Sequence, residues 1–206
     1  MIELFVSAFL TFFVVIDPPG CAPIYAGLTA GADAPHRRAM AVRAVFYAAC
    51  ILLVFALFGE DLLRGLGISL SSFRIAGGIM LFLIALEMVF ERRTQRREDR
   101  AAQVAATPEV EDVSVFPMAM PMIAGPGSIA SVMLLMARNE GLQRSLVVLA
   151  ALASILLITL VALLAAGPMM RLLGARIEAV ITRLLGVLLA ALAVQFVIDG
   201  LQVGLR

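Results

Sequence analysis

Between Ser145 and Ala166 the chain carries no charged residue. A helix needs about 20 consecutive apolar residues to cross the hydrocarbon core of a bilayer. In lipid the backbone polar groups must also be satisfied within the segment, so such a run reads as a membrane helix. Several other runs have the same character. The chain is 62% hydrophobic with a mean hydropathy of +1.03, whereas soluble domains sit nearer half apolar. Within 206 residues these runs leave little room for a separate soluble domain. We therefore expect one all-α membrane domain over residues 1–206. The N-terminus has no basic leader region, and Glu3 stands where a positive charge belongs, so its apolar run counts as the first membrane helix.

The apolar pattern predicts six transmembrane helices: Ile2–Leu28 interrupted at Asp17–Gly20, Met40–Phe58, Phe73–Phe90, Val113–Ala137, Ser145–Ala166 and Ala179–Leu201. Residues 91–112 form the one long polar connector. All sixteen cationic residues are Arg. With the N-terminus outside, eleven fall in inside loops and five outside. That bias predicts a bacterial inner-membrane protein with both termini periplasmic and the connector in the cytoplasm. The connector's Arg cluster suits anionic lipid. The net charge of +1 says nothing about partners; the bilayer and a small-molecule substrate are expected, and no nucleic acid. Cys21 and Cys50 both lie in apolar segments and read as small buried hydrophobes, without a disulfide.

The chain also repeats itself. Pro19-Gly20 matches Pro126-Gly127, and Arg64-x-Leu66-Gly67 matches Arg171-x-Leu173-Gly174, both at an offset of 107. Gly78 matches Gly186, and Glu87 aligns with Gln195, at an offset of 108. Each match is weak alone, but three regions agree on nearly one spacing. Two repeats of three helices, about 1–92 and 113–206, must face opposite ways, the inverted plan of many secondary transporters.

Chemistry concentrates where these helices break. In Asp17-Pro18-Pro19-Gly20-Cys21-Ala22, the prolines have no N–H to offer the carbonyls four residues earlier. Such groups need protein, water or a ligand, so the break should face the bundle interior. The second break, Gly125-Pro126-Gly127-Ser128-Ile129, occupies the matching place in helix 4, with Pro117 and Pro121 loosening the turns before it. A broken helix offers partly negative carbonyls at one end and partly positive N–H groups at the other. The N–H groups of Gly20, Cys21 and Ala22, and of Gly127, Ser128 and Ile129, suit a carboxylate. The carbonyl ends suit an ammonium or a cation. Together the breaks suit a zwitterion such as an amino acid; a neutral polyol or an ion also satisfies the geometry. Plain kinking is the structural alternative.

Asp17 is the most informative residue, because a carboxylate deep in an apolar run is costly. It must bind a substrate ammonium, couple a proton, or cap the helix that follows. Glu87, one turn from the charged run at Glu91, either snorkels to the interface or serves the site with its counterpart Gln195. Thr29 offers a hydroxyl to substrate or back to its own helix. Gly77-Gly78 and Gly186-x-x-x-Ala190 are small faces for close packing. One histidine, no metal-ligand spacing and no phosphate-binding loop argue against an enzyme, a cofactor or a metal.

Three of these segments carry a family resemblance. Phe12–Thr29 with Asp17-Pro18-Pro19-Gly20 and Pro23, Arg74-Ile75-Ala76-Gly77-Gly78 through Ala85-Leu86-Glu87-Met88, and Phe116-Pro117 through Gly125-Pro126-Gly127-Ser128-Ile129 resemble the first-, third- and fourth-helix motifs of the MarC family of membrane proteins. The resemblance covers nearly the whole chain. It implies six helices in two inverted repeats, with broken helices 1 and 4 forming the substrate site. It also implies export of small neutral amino acids such as alanine, glycine or threonine. Pro19 and Cys21 depart from the family pattern. The expected function is thus a secondary transporter, with a channel or a non-transporting scaffold as the alternatives. Coupling ion and oligomeric state are left open.

Overall fold

The computed structural model describes residues 1–90, 99, 112–139 and 141–204, with backbone alone over 168–179. The expected connector 91–112 lies outside the described residues except at positions 99 and 112. The described elements are all helical: α1 (Ile2–Ile16), α2 (Pro18–Leu28), α3 (Ala34–Gly65), α4 (Leu70–Val89), α5 (Ser114–Ile123), α6 (Pro126–Arg138), α7 (Leu142–Leu164) and α8 (Ala166–Gly204). Among the described residues, five stretches are long and apolar enough to cross a membrane: Ile2–Leu28, Ala34–Gly65, Leu70–Val89, Leu142–Leu164 and Val180–Gly204. A sixth span exists if α5 and α6, bent by 54° at their junction, count as one.

The helices run past their apolar stretches because capping and ion pairing extend them. The α3 helix begins not at Met40 but at Ala34, where Asp33 Oδ1 accepts from the His36 N–H at 3.0 Å. It continues beyond Phe58 through an Arg64–Glu60 pair of 2.8 Å on adjacent turns, and the chain reverses at Gly67 with φ 69°. Ser69 Oγ caps α4 by accepting from the Ser72 N–H. Likewise α8 starts at Ala166 rather than Ala179, since hydropathy marks only the lipid-embedded part of a helix.

The bundle is packed tightly inside and apolar outside. Phe46, Leu57 and Phe58 on α3, Leu157 and Val161 on α7, and Leu184 and Leu188 on α8 are all exposed; in a membrane these side chains meet lipid. Inside, α1 packs on α6 and α7, α2 on α7 and α8, and α3 on α5, α6 and α7. The closest pairing joins α4 to α8. A Cβ at Gly78 would stand 2.8 Å from the Ala193 carbonyl, and one at Gly186 would stand 3.1 Å from the Ala85 carbonyl. Both glycines permit backbone contact that any side chain would prevent.

Candidate functional site

Helix 1 does break within Asp17–Gly20, but the break is narrower than expected. It is one residue wide. Asp17 alone leaves the helix, with φ 59° and ψ 64°, while its N–H still donates to the Phe13 carbonyl. Pro18, Pro19 and Gly20 form the first turn of α2. The reason is that the first turn of a helix has no intrahelical use for its N–H groups, so proline is well placed there. Asp17 is 1% exposed. Its Oδ1 accepts from the Gly20 N–H at 3.1 Å and its carbonyl from the Cys21 N–H at 3.0 Å. These N–H groups, which the sequence offers to a substrate carboxylate, are therefore taken by Asp17. Gly20 is dictated by the same contact, because a Cβ there would overlap Asp17 Oδ2.

The second break differs in construction. In α5 the bonds run from residue i to i−5, as from the Met118 N–H to the Val113 carbonyl and from the Ala124 N–H to the Ala119 carbonyl. Phe116 and Met120 leave helical geometry, and the peptide bonds to Pro117 and Pro121 are cis. Gly125 is the N-cap of α6 and supplies no side-chain cap; Pro126 occupies the first turn. A Cβ at Gly125 would overlap the Pro121 carbonyl oxygen, so no capping residue fits. The Ile129 N–H donates to the Gly125 carbonyl.

Across both breaks one hydrogen bond recurs. Cys21 Sγ donates to the Ile16 carbonyl at 3.4 Å, and Ser128 Oγ donates to the Ile123 carbonyl at 2.7 Å. Each ties the residue that follows a Pro-Gly pair to the last helical carbonyl before the break. The breaks also meet. A Cβ at Gly127 would lie 3.3 Å from Val15 Cγ1, 2.7 Å from Ile84 Cδ1 and 3.4 Å from Leu81 Cδ2. Cys21, Ala22, Gly127 and Ser128 are buried, as are Pro18, Gly20 and Gly125; Pro19 and Ile129 are half-buried and Pro126 is exposed. The junction is closed in this conformation.

The remaining candidates spread out. Glu87 is half-buried on α4, one turn past Ile84. Gln195 is exposed and donates to Asp199 Oδ1 at 2.7 Å. Thr29 is buried at the far end of α2, about 18 Å from the break at about 1.5 Å per residue, and its Oγ1 donates back to the Tyr25 carbonyl. No disulfide joins the two cysteines; Cys21 is buried with its thiol on the Ile16 carbonyl, whereas Cys50 is exposed on the outer face rather than buried. A cavity of about 240 Å³ lies elsewhere, between α3, α6 and the start of α7, lined by Phe55, Met133 and Met136 with Glu60 and Ser145.

Three groups escape a reading of the sequence. Ser131 is 0% exposed on α6, and its hydroxyl has no hydrogen-bond partner among the described residues. Its only signal is the Ser128-x-x-Ser131 spacing. Arg138 pairs with Asp199 at 2.8 Å, tying the end of α6 to α8. At the start of α5, Arg43 pairs with Asp112 at 2.9 Å, and Asp112 Oδ1 accepts from the Ser114 N–H. Partial burial pushes the Asp112 carboxyl up, but the Ser114 hydrogen bonds and the Arg43 charge outweigh it and hold it below the ordinary carboxylate range.

The sequence profile described as "MarC family integral membrane protein" matches residues 2–205. A UPF0056 membrane protein of Methanocaldococcus jannaschii is 37% identical, covering 98% of this chain and 97% of its own. The UPF0056 membrane protein YvbG of Bacillus subtilis is 33% identical over 98% and 96%. The UPF0056 inner membrane protein YhgN of Escherichia coli is 31% identical over 98% of both. No solved structure matches.

Proposed function

This chain belongs to the MarC family of integral membrane proteins, and we propose that it is a secondary transporter, exporting small neutral amino acids by alternating access around the junction of its two broken helices. The observation that carries this reading is the matched pair of breaks. The Cys21–Ile16 and Ser128–Ile123 hydrogen bonds sit 107 residues apart at each end (128 − 21 and 123 − 16). Between them lie a buried carboxylate, Asp17, and two helix starts whose positive ends point into an otherwise apolar bundle. The cap on α2 does not require a charge, since Asn caps helices as well, so a buried carboxylate there favours a further role.

Further support concerns the two halves. Gly78 meets Ala193 while Gly186 meets Ala85, and the corresponding members of the two pairs are 108 residues apart (186 − 78 and 193 − 85). Reciprocal contact of this type is what a two-fold relation produces. We therefore read residues 1–92 and 113–206 as inverted three-helix repeats, with six spans and a cytoplasmic connector at 91–112. The E. coli relative is named an inner membrane protein, and the Arg distribution favours the same membrane with both termini periplasmic. In this cycle the closed junction is an occluded state, and substrate enters when one half rocks against the other.

Counterflow in proteoliposomes tests the reading. Vesicles loaded with unlabelled alanine should accumulate labelled alanine through the wild type and not through folded Asp17→Asn. No accumulation with alanine, glycine, serine or threonine would sink the amino-acid assignment. Flux without counterflow would indicate a channel.

A further inference from the structure

The two breaks are unequal in charge, and the difference gives the site a direction. The α2 start is already satisfied, since Asp17 supplies a carboxylate to the Gly20 N–H and a carbonyl to the Cys21 N–H. The α6 start is not. Gly125 provides no cap, and the Pro121 carbonyl leaves no space for a capping side chain. The first N–H groups of a helix have no acceptor within it, so those of Gly127 and Ser128 await one. A second observation points to the same place. Ser131 lies one turn along α6 with a fully buried hydroxyl that has no partner among the described residues. Side chains on a helix lean toward its N-terminus, which carries this hydroxyl toward the turn of Gly127 and Ser128. A buried hydroxyl without a partner is costly, and a ligand that accepts its hydrogen bond removes that cost.

Building on the transporter reading, we propose that the α6 start, with Ser131, holds the substrate's carboxylate, and that Asp17 faces its ammonium. In effect Asp17 is a resident carboxylate on one helix start, and the substrate brings the carboxylate for the other. An orphan N-terminus favours an anion through its N–H groups and its dipole, while the fixed charge of Asp17 repels a second anion and attracts an ammonium. The site thus takes a small zwitterion in one orientation. The crowding of Gly127 by Val15, Leu81 and Ile84 excludes bulk beside the carboxylate.

The test is competition in alanine counterflow with two neutralised analogues, for wild type and Ser131→Ala. Alaninamide lacks the carboxylate and propionate lacks the ammonium; each should compete at least about tenfold more weakly than alanine, the effect of one lost charge-assisted hydrogen bond. Ser131→Ala should raise the half-saturating alanine concentration about tenfold and leave the weak competition by alaninamide unchanged. Its elution as a single species and unchanged far-UV dichroism establish folding, and Ser154→Ala, at a half-buried serine on α7 that bonds back to the Ala150 carbonyl, should behave as wild type. Equal competition by either analogue, or a Ser131→Ala protein with wild-type alanine affinity, would overturn the orientation while counterflow itself persists. Absence of counterflow with any small amino acid would instead remove the transporter reading and this inference with it.

Discussion

The first break is closed by a side chain: Asp17 turns out of the helix and bonds back to Gly20. The second is made by backbone, through the wide turns of α5 and a glycine that the Pro121 carbonyl keeps bare. Yet Cys21 and Ser128 make the same bond across each break. The shared bond sets the shape of the junction, and the unshared cap sets its charge. On the function proposed above, the capped break is the negative half of a zwitterion site and the bare one its positive half.

This contrast can be broken at either side. Asp17→Asn should reduce counterflow to background while costing little stability, because Asn also caps helices and its loss of charge relieves burial; transport and thermal unfolding in detergent separate the two. Gly125→Ala should destabilise by about 1–3 kcal/mol as its Cβ displaces the Pro121 carbonyl. Gly20→Ala should cost about 1 kcal/mol, the worth of the Asp17 cap it expels, and lose transport with it. Ser128→Ala should cost about 1 kcal/mol for a buried hydrogen bond, seen as a lower unfolding midpoint. Cys21→Ala should cost less, since a thiol is a weak donor, and Cys21→Ser should gain.

The smallest effect belongs to the surface. The Arg43–Asp112 pair is two-fifths exposed on each side and should contribute under about 1 kcal/mol. Because the Asp112 carboxyl is held low, its contribution is present above the ordinary carboxylate range and is lost as pH falls through its depressed value. Asp112→Asn should flatten that part of the stability–pH curve, measured by thermal unfolding from neutral pH downward.

Much of this was legible in the residues. Apolar runs gave the spans, and the Pro-Gly pairs marked both breaks, because proline chemistry is local and independent of packing. Helix ends differ from the apolar runs at Met40 and Phe58, where a cap and an ion pair extend α3, and at Ala179, where hydropathy marks only part of α8. The N–H groups of Gly20 and Cys21 look available only until Asp17 adopts a left-handed conformation, which no pattern foretells. Ser131 was missed because its significance lies in burial without a partner. The Arg138–Asp199 pair joins residues far apart in the chain that only the fold brings together.

The most direct measurement is labelling of Cys21 by a small charged thiol reagent in a Cys50→Ala protein reconstituted in vesicles. Cys21 is fully buried in the closed junction, so the account predicts slow labelling that proceeds only as the junction opens, that alanine retards, and that abolishes counterflow. Counterflow continuing at full rate with Cys21 fully modified, or with Cys21 unreactive throughout, would contradict a transport site at the two breaks.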